Sequence, residues 1–402
     1  MSRQVDLPLS GEGWSTRRLG DCGSWLSGGT PRKSVPGYWG GEMPWMSSKE
    51  IVSFELADSE LGLTPTGAEN GTRLVPAGTL LMVVRGMSLA KEFRVGVTTR
   101  EVTFNQDVKA LVPSPDIDSR FLARFLRYSE PRILSQTEAS SHGTKRLPMG
   151  RLEALEVPLP PLEEQRRIAA ILDKADAIRR TRQEAIDLTD ELLRSTFLDM
   201  FGDPVTNPRG WPETELGELL SFLTSGSRGW AKYYAETGAL FLRIQNVTGG
   251  RLRLDDVAYV NAPDSAEAKR TRVVHGDVLL SITADLGRTA VVPPALGDAH
   301  INQHLAILRP GPKVRPEYLS AFLSSIGGQR QFERLNRHGV KAGLNFTDVR
   351  GVRVLLPPLE DQDRFVRAER QVLTLSEHLG GARERSDQLF HSLVQRAFRG
   401  DL

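Results

Sequence analysis

Apolar positions along this 402-residue chain settle into helical spacing twice, each time after the same short run of residues. From Leu162 onward they fall at Ile168, Ile171, Leu172, Ala175, Ile178, Ala185, Leu188 and Leu192. This is the i, i+3, i+4 rhythm of one helix face. Pro160-Pro161 stands just before it, where a missing N–H costs nothing, and Glu163-Glu164 place negative charge at the positive end of the macrodipole. No glycine or proline interrupts until Gly202-Asp203-Pro204. The pattern predicts a helix over residues 162–198, roughly 55 Å long at ~1.5 Å per residue.

The second stripe runs Phe365, Val366, Val372, Leu375, Leu379, Ala382, Leu389, Leu393, Ala397. Its opening, Pro357-Pro358-Leu359-Glu360-Asp361-Gln362, matches Pro160-Pro161-Leu162-Glu163-Glu164-Gln165 at a shift of 197 positions. The same shift lays Gly13-Trp14 on Gly210-Trp211, Leu19-Gly20 on Leu216-Gly217 and Asn105-Gln106 on Asn302-Gln303. It also lays Phe121-Leu122-x-x-Phe125-Leu126 on Tyr318-Leu319-x-x-Phe322-Leu323. One register across the chain defines a tandem duplication. A long helix with a narrow stripe does not stand alone in water, so the two are expected to pack antiparallel, with a face left for a partner. Gly380-Gly381, costing about 2 kcal/mol of helix propensity, predicts a kink or frayed turn in the second helix.

Between these stripes the chain is glycine-rich, with short extended runs. Strands are expected at 80–84, 95–99 and 109–112, then a short helix over 120–128; the second copy repeats the order with strands at 241–245 and 276–281 and a helix over 316–324. Residues 37–45, GYWGGEMPW, read as an aromatic–glycine loop with no counterpart near residues 230–234. The expected class is α+β: two tandem-duplicated modules of mixed α/β structure, separated and joined by two long antiparallel helices that form a coiled-coil-like spacer. The boundaries are a lead-in over 1–13, module one over 14–157, a central helix over 158–203, a linker over 204–210, module two over 211–356 and a distal helix over 357–402. A shared frame with unlike loops implies one task performed on two different targets.

Composition is that of a globular protein, 39% hydrophobic and 25% charged, which excludes wholesale disorder. No apolar run reaches the ~18 residues of a membrane span, and MSRQVDLPLSGEG lacks a signal-peptide core, so a cytoplasmic location is expected. Cys22 is the single cysteine, which excludes intramolecular disulfides and thiolate zinc clusters. Net charge is only +2, so any nucleic-acid surface must be local.

Catalytic constellations are missing. There is no GxxxxGK[ST] phosphate loop, GxGxxG, HExxH or GxSxG, and Asn207-Pro208 is followed by Arg209 rather than by the Pro-aromatic pair that amino-methyltransferases use. His142 and His338, in His-Gly-Thr-Lys-Arg and His-Gly-Val-Lys-Ala, lack partners at catalytic spacing and read better as glycine-containing polar loops that can approach phosphates. Candidates for base or phosphate contact are Trp45, Lys49, Arg85, Lys91, Arg94, Lys145 and Arg146 in module one. In module two they are Arg228, Lys232, Arg243, Gln245, Asn246, Arg288 and Lys341. Arg243-Ile244-Gln245-Asn246 stands out, because Arg, Gln and Asn read major-groove edges bidentately. Arg166-Arg167 and Arg179-Arg180-x-Arg182 read as a solvated helix face, with a phosphate track as the alternative.

The arrangement resembles the specificity (S) subunit of type I restriction–modification systems. The resemblance is carried by the GW module starts, by YWGGEMPWMSSKEI from Tyr38, AGTLLM from Ala77 and INQHLAILRP from Ile301, and by the paired PPLE(E/D)Q helices, the first ending in MFGDP. It implies that each module is a target-recognition domain reading one half of a split DNA site. It implies further that the helices space the halves and dock two methyltransferase (M) subunits, which carry S-adenosylmethionine, and that motor–nuclease (R) subunits join for restriction. The chain itself would be non-catalytic, with no cofactor of its own. The M-docking residues implied are Glu163, Gln165, Ile168, Ile171, Leu172, Leu192, Glu360, Gln362, Phe365, Leu389 and Leu393. Two other readings stay open from the residues alone: a DNA-modifying or DNA-cleaving enzyme fragment, and a bivalent protein–protein scaffold.

Overall fold

The computed structural model describes residues 14–140, 143–336 and 343–402. The lead-in, His142, His338 and Lys341 lie outside these residues. Contacts divide the chain into two compact units, residues up to Gln183 with Gly381–Leu402, and Glu184–Gly380. The two division points, after Gln183 and after Gly380, are themselves related by the shift of 197. Each unit therefore combines one module with part of each long helix.

In the first unit, five strands run in the order Gly23–Ser27, Val108–Pro113, Leu80–Val83, Val95–Thr98, Glu55–Leu56. All neighbours are antiparallel except the last pair. Val108–Pro113, Leu80–Val83 and Val95–Thr98 are the strands expected from the short extended runs; Gly23–Ser27 and Glu55–Leu56 add to them. A four-stranded sheet orders Gly62–Leu63, Trp39–Met46, Val102–Phe104, Leu74–Val75. The helix Ser119–Tyr128 buries Phe121, Leu122, Phe125 and Leu126 in the common core. Ser15–Arg18 pairs antiparallel with Glu156–Leu159, so the module's two ends meet just before the central helix begins.

The second unit repeats the plan. Leu220–Ser225, Leu305–Pro310, Val278–Ser281 and Thr289–Val291 form one sheet, and Tyr234–Ala235, Ala258–Val260, Ala239–Leu242 and Ala299–Ile301 another. Glu213–Glu215 pairs with Arg353–Leu355, the equivalents of the end-to-end strands above. The short helix is Pro316–Ser324, with Tyr318 and Phe322 buried.

Two expectations for the loops are corrected. Residues 37–45 are not a loop: after the turn Pro36–Tyr38 they form the strand Trp39–Met46, pairing Trp45 with Thr103 and Met46 with Phe104 in parallel. Nor is a counterpart missing. Phe241 and Leu242 pair in parallel with His300 and Ile301, and the Asn302 amide donates to Leu242 O at 3.1 Å as the Asn105 amide donates to Met46 O at 3.0 Å. Trp45 and Phe241 are 196 positions apart, so a one-residue length difference hides the match. The expected strand 241–245 ends at Leu242 and turns into Ile244–Asn246.

The central helix runs Leu162–Phe201 and stops at Gly202, whose φ of 78° ends it. The distal helix runs Leu359–Arg399 without a break at Gly380-Gly381, which corrects the expected kink. Contacts at Ala382 offset what propensity lacks there: Arg182 of the central helix donates to Ala382 O at 2.6 Å, and within the distal helix Ser386 Oγ donates to the same carbonyl at 3.0 Å. In the first unit Arg167 meets Leu402 O at 2.8 Å, Arg179 meets Asp387 at 2.6 Å and Arg182 meets Ala382. Partner numbers fall as helix numbers rise, so the two stretches run antiparallel as expected.

The apolar stripes do not serve mainly to join helix to helix. Ile168 and Leu172 of the central helix and Phe398 of the distal helix enter the first module's core. Phe197 and Phe201 of the central helix and Phe365 of the distal helix enter the second. Phe398 packs on Phe121 and Phe125 at 5.5 and 5.4 Å between ring centroids; its equivalent, Phe201, packs on Tyr318 at 4.9 Å. Leu188 and Leu192, assigned by spacing to the buried stripe, are exposed.

Candidate functional site

The first module gathers cations at one tip. After Leu80–Val83 the chain leaves the sheet as Arg85–Gly86, which pairs with Lys145–Arg146, Arg85 opposite Arg146 and Gly86 opposite Lys145. Lys145–Arg146 pairs in turn with Glu138–Ala139. The turn Ser88–Ala90 lies against Lys145–Arg146 and delivers Lys91. Arg94 reaches across to Ser48 O at 3.2 Å and fixes the turn that carries Lys49. Six of the seven cations and aromatics singled out by sequence are thus brought to one cluster. Arg94 is neutralised by Glu92, and Arg146 faces Glu138 at 3.6 Å. Lys49, Arg85, Lys91 and Lys145 have no carboxylate partner among the described residues, so they leave local positive charge on a nearly neutral chain. Trp45 is not among them: it is buried, its Nε1 donates to Gly29 O at 3.0 Å, and it lies edge-on to Trp39.

The second module builds the same turn with other side chains. The Ser47 amide donates to Glu50 at 2.9 Å, and the Arg243 amide donates to Asn246 Oδ1 at 2.9 Å. Lys49 and Gln245 therefore occupy equivalent places. Asn246 is fully engaged in the fold: buried, it donates to Arg253 O at 2.9 Å and Asp256 O at 2.7 Å. Arg243 and Gln245 both bond the Asp256 carboxylate, at 3.1 and 2.7 Å. Arg228 and Lys232 are exposed near the turn Trp230–Tyr233, with Lys232 4.9 Å from the Tyr233 ring centre.

The tip that answers Arg85–Lys91 runs from Thr283 to Arg288. Thr283 bridges to Gly343 as Gly86 pairs with Lys145, and Ala284 holds a φ of 65°. Arg288 is bound by Asp285 at 2.6 Å. Beneath lie Gln303 and His304, which sequence reasoning did not single out: Thr283 Oγ1 and His304 Nδ1 are 2.5 Å apart, and Gln303 Nε2 and His304 Nε2 3.0 Å. The signal was present, since Gln303 repeats Gln106, but His304 replaces Asp107 and broke the match. The first tip is cationic and apolar, the second polar.

Nothing in these clusters resembles a reaction centre. No group of three or more His, Cys, Asp or Glu that could hold a metal ion occurs among the described residues. Cys22 is buried, and burial pushes its thiol up to about 11, the wrong direction for a nucleophile. His300 is held below the usual imidazole range by burial beside Trp230.

The helix residues divide sharply. Gln165, Ile168, Leu172, Gln362 and Phe365 are buried inside their own units, so they hold the fold and leave no surface for a partner. Ile171 and Leu393 are half-buried, and Glu163, Glu360, Leu192 and Leu389 are exposed. Leu192 and Leu389 are repeat equivalents, as are the exposed Ile178 and Leu375. Arg166 and Arg167 form i, i+3 ion pairs with Glu163 and Glu164 on a solvated face, as expected. Arg179 and Arg182 do not lie on it, because half-buried Arg179 bonds Asp176 and Asp387 and Arg182 meets Ala382 O of the distal helix.

Residues 11–188 match the family described as type I restriction modification DNA specificity domain. The chain is 29% identical over 186 residues to the type I restriction enzyme EcoR124I/EcoR124II specificity subunit of Escherichia coli, covering 46% of each protein. It is 22% identical over 268 residues to the type I restriction enzyme MjaIX specificity subunit of Methanocaldococcus jannaschii, spanning 62% of this chain and 61% of that one. The match thus spans about half to three-fifths of these relatives' lengths. A crystal structure of the type I restriction–modification S subunit from M. genitalium shares the fold, with a TM-score of 0.59 at 13% identity over 99% of this chain and 98% of that one.

Proposed function

We propose that this chain, which carries a type I restriction modification DNA specificity domain, is the sequence-reading subunit of a type I restriction–modification complex. Each module reads one half of a bipartite duplex site, and the chain performs no chemistry itself. The observation that carries the reading is the pair of tips: one frame, repeated at a shift of 197, presents Arg85, Lys91 and Lys145 in one copy and Thr283, Gln303 and His304 in the other. Lysine and arginine position a protein on phosphates, while unlike side chains on a common frame read unlike bases. Two modest heads on one chain make the second contact intramolecular, which multiplies selectivity without a larger interface.

The partners are two methyltransferase subunits that bring S-adenosylmethionine, with motor–nuclease subunits joining for cleavage, all in the cytoplasm. The exposed pairs Ile178/Leu375 and Leu192/Leu389 support two copies of one partner, because the same apolar positions recur on both helices. No helix among the described residues is long and apolar enough to cross a membrane.

The test is sequencing of methylated genomic DNA from the source with and without this gene. A split adenine-methylated motif that disappears with the gene supports the proposal. Identical methylation in both strains, or turnover by the isolated chain with DNA and S-adenosylmethionine, overturns it.

A further inference from the structure

Met87 is the most exposed large apolar side chain among the described residues, 73% accessible. Its exposure does not come from a loose loop. On one side Val84 is buried, and its amide donates to Asp107 O at 2.9 Å; on the other, Leu89 is wholly buried and the turn Ser88–Ala90 is closed by Lys91 N to Ser88 O at 2.8 Å. Gly86, at φ 143°, makes the corner that turns Met87 outward. The thioether is therefore presented on a fixed support.

Its surroundings decide what it fits. Arg85, Lys91 and Lys145 flank it without carboxylate partners among the described residues, and the nearby Glu92 is taken up by Arg94. An apolar tip ringed by free cations repels a lipid interior and a basic protein, and suits duplex DNA. The cations meet phosphates on either side, while an uncharged thioether gains nothing from a phosphate and something from a base edge. In the major groove the apolar feature is the thymine C5-methyl. At the repeat-equivalent place the second module has Ala284, too short for such a reach, next to a polar Thr283, Gln303 and His304.

We propose that Met87 is a specificity residue of the first module, contacting a thymine methyl in that module's half-site while Arg85, Lys91 and Lys145 hold the flanking phosphates. The inference rests on the DNA-reading proposal above.

The complete chain assembled with its methyltransferase subunit tests it, with the modified motif mapped on a randomised duplex library. Met87→Ala should lower discrimination at one A·T pair of one half-site by about tenfold and leave the other half unchanged. Met87→Leu should retain most of it. Replacing that thymine by deoxyuridine should weaken wild-type binding similarly and leave Met87→Ala unaffected. Thermal melts confirm that the variants fold. A wild-type complex that modifies a split motif, with Met87→Ala modifying it just as strictly, overturns the Met87 role alone. A wild-type complex that modifies no split motif overturns the DNA-reading proposal itself.

Discussion

Gln165 accepts the backbone N–H of Asp118 through Oε1 at 2.9 Å, and its Nε2 donates to Asp116 O at 3.1 Å and Pro160 O at 2.9 Å. Gln362 makes the same three bonds, to Arg315 N at 2.8 Å, Lys313 O at 3.4 Å and Pro357 O at 2.9 Å. Asp118 is itself the N-cap of the module's short helix, bonding Phe121 N at 2.8 Å. The glutamine of the PPLE(E/D)Q motif thus clamps the first turn of a long helix to the module before it, and this is why the motif recurs.

The first prediction concerns that clamp. Gln165→Ala should destabilise the first unit by about 1–3 kcal/mol, the cost of orphaned buried polar groups. Gln165→Glu should be worse above neutral pH, because a carboxylate would face the Asp116 and Pro160 carbonyls with no donor. Acidification should partly rescue it by restoring an O–H. Melting curves across pH check the order; equal effects of Ala and Glu at all pH values would count against the clamp.

The second concerns the aromatic plugs. Phe398→Ala should cost the first unit about 3–5 kcal/mol, since the ring is fully buried against Phe121 and Phe125. A fragment of residues 1–205 lacks Phe398 but keeps its equivalent, Phe201. Two such fragments are expected to pair so that each supplies Phe201 to the other, and Phe201→Ala should dissolve the dimer. Light scattering distinguishes dimer from monomer. With a methyltransferase subunit, the dimer should modify a palindromic site built from module one's half.

A third comes from Glu369, whose carboxyl is pushed up to about 7, chiefly by burial and next by Glu317, with Arg251 and Arg370 acting the other way. A raised carboxyl pKa in the folded state means stability that is full below about 4.5 and falls as pH rises through 7. Glu369→Gln should remove this decline and be more stable than wild type at pH 8 by on the order of 2 kcal/mol. Position 172, its equivalent in the first copy, is a buried leucine. Denaturant titrations at pH 5 and pH 8 decide it; parallel curves for both proteins would refute the assignment.

A fourth concerns spacing. Four residues inserted in both long helices, after Ile186 and after the equivalent Arg383, add about 6 Å to each and rotate the downstream turns by only about 40°. The unread gap of the DNA site should widen by one to two base pairs, at ~3.4 Å each, with both half-sequences kept. Two residues instead rotate the downstream turns by about 200°, and should abolish recognition of the split site while each unit still folds. Motif mapping reads the outcome; an unchanged gap would mean that the helices do not set it.

The duplication, the two long helices and the short helices at 120–128 and 316–324 are all legible in the chain alone. Helical periodicity and a repeat register are properties of the chain, set by which residues stand three, four or 197 positions apart. Even the division into units obeys that register, at Gln183 and Gly380.

Where each of those faces goes is settled by contacts between distant elements. Periodicity marks Ile168 and Leu192 alike as apolar, yet one plugs a module and the other meets solvent, because burial depends on what another part of the chain brings up to it. Neighbouring contacts hold Gly380-Gly381 in a helix that local propensity would fray. A one-residue length difference hid the kinship of Trp45 and Phe241 until parallel pairing with Thr103 and His300 revealed it. Arg85 and Lys145 are sixty positions apart and gather only through strand pairing, and Met87 gained significance only once its anchored exposure was visible. Spacing along the chain fixes elements; hydrogen bonds and packing between distant elements fix surfaces.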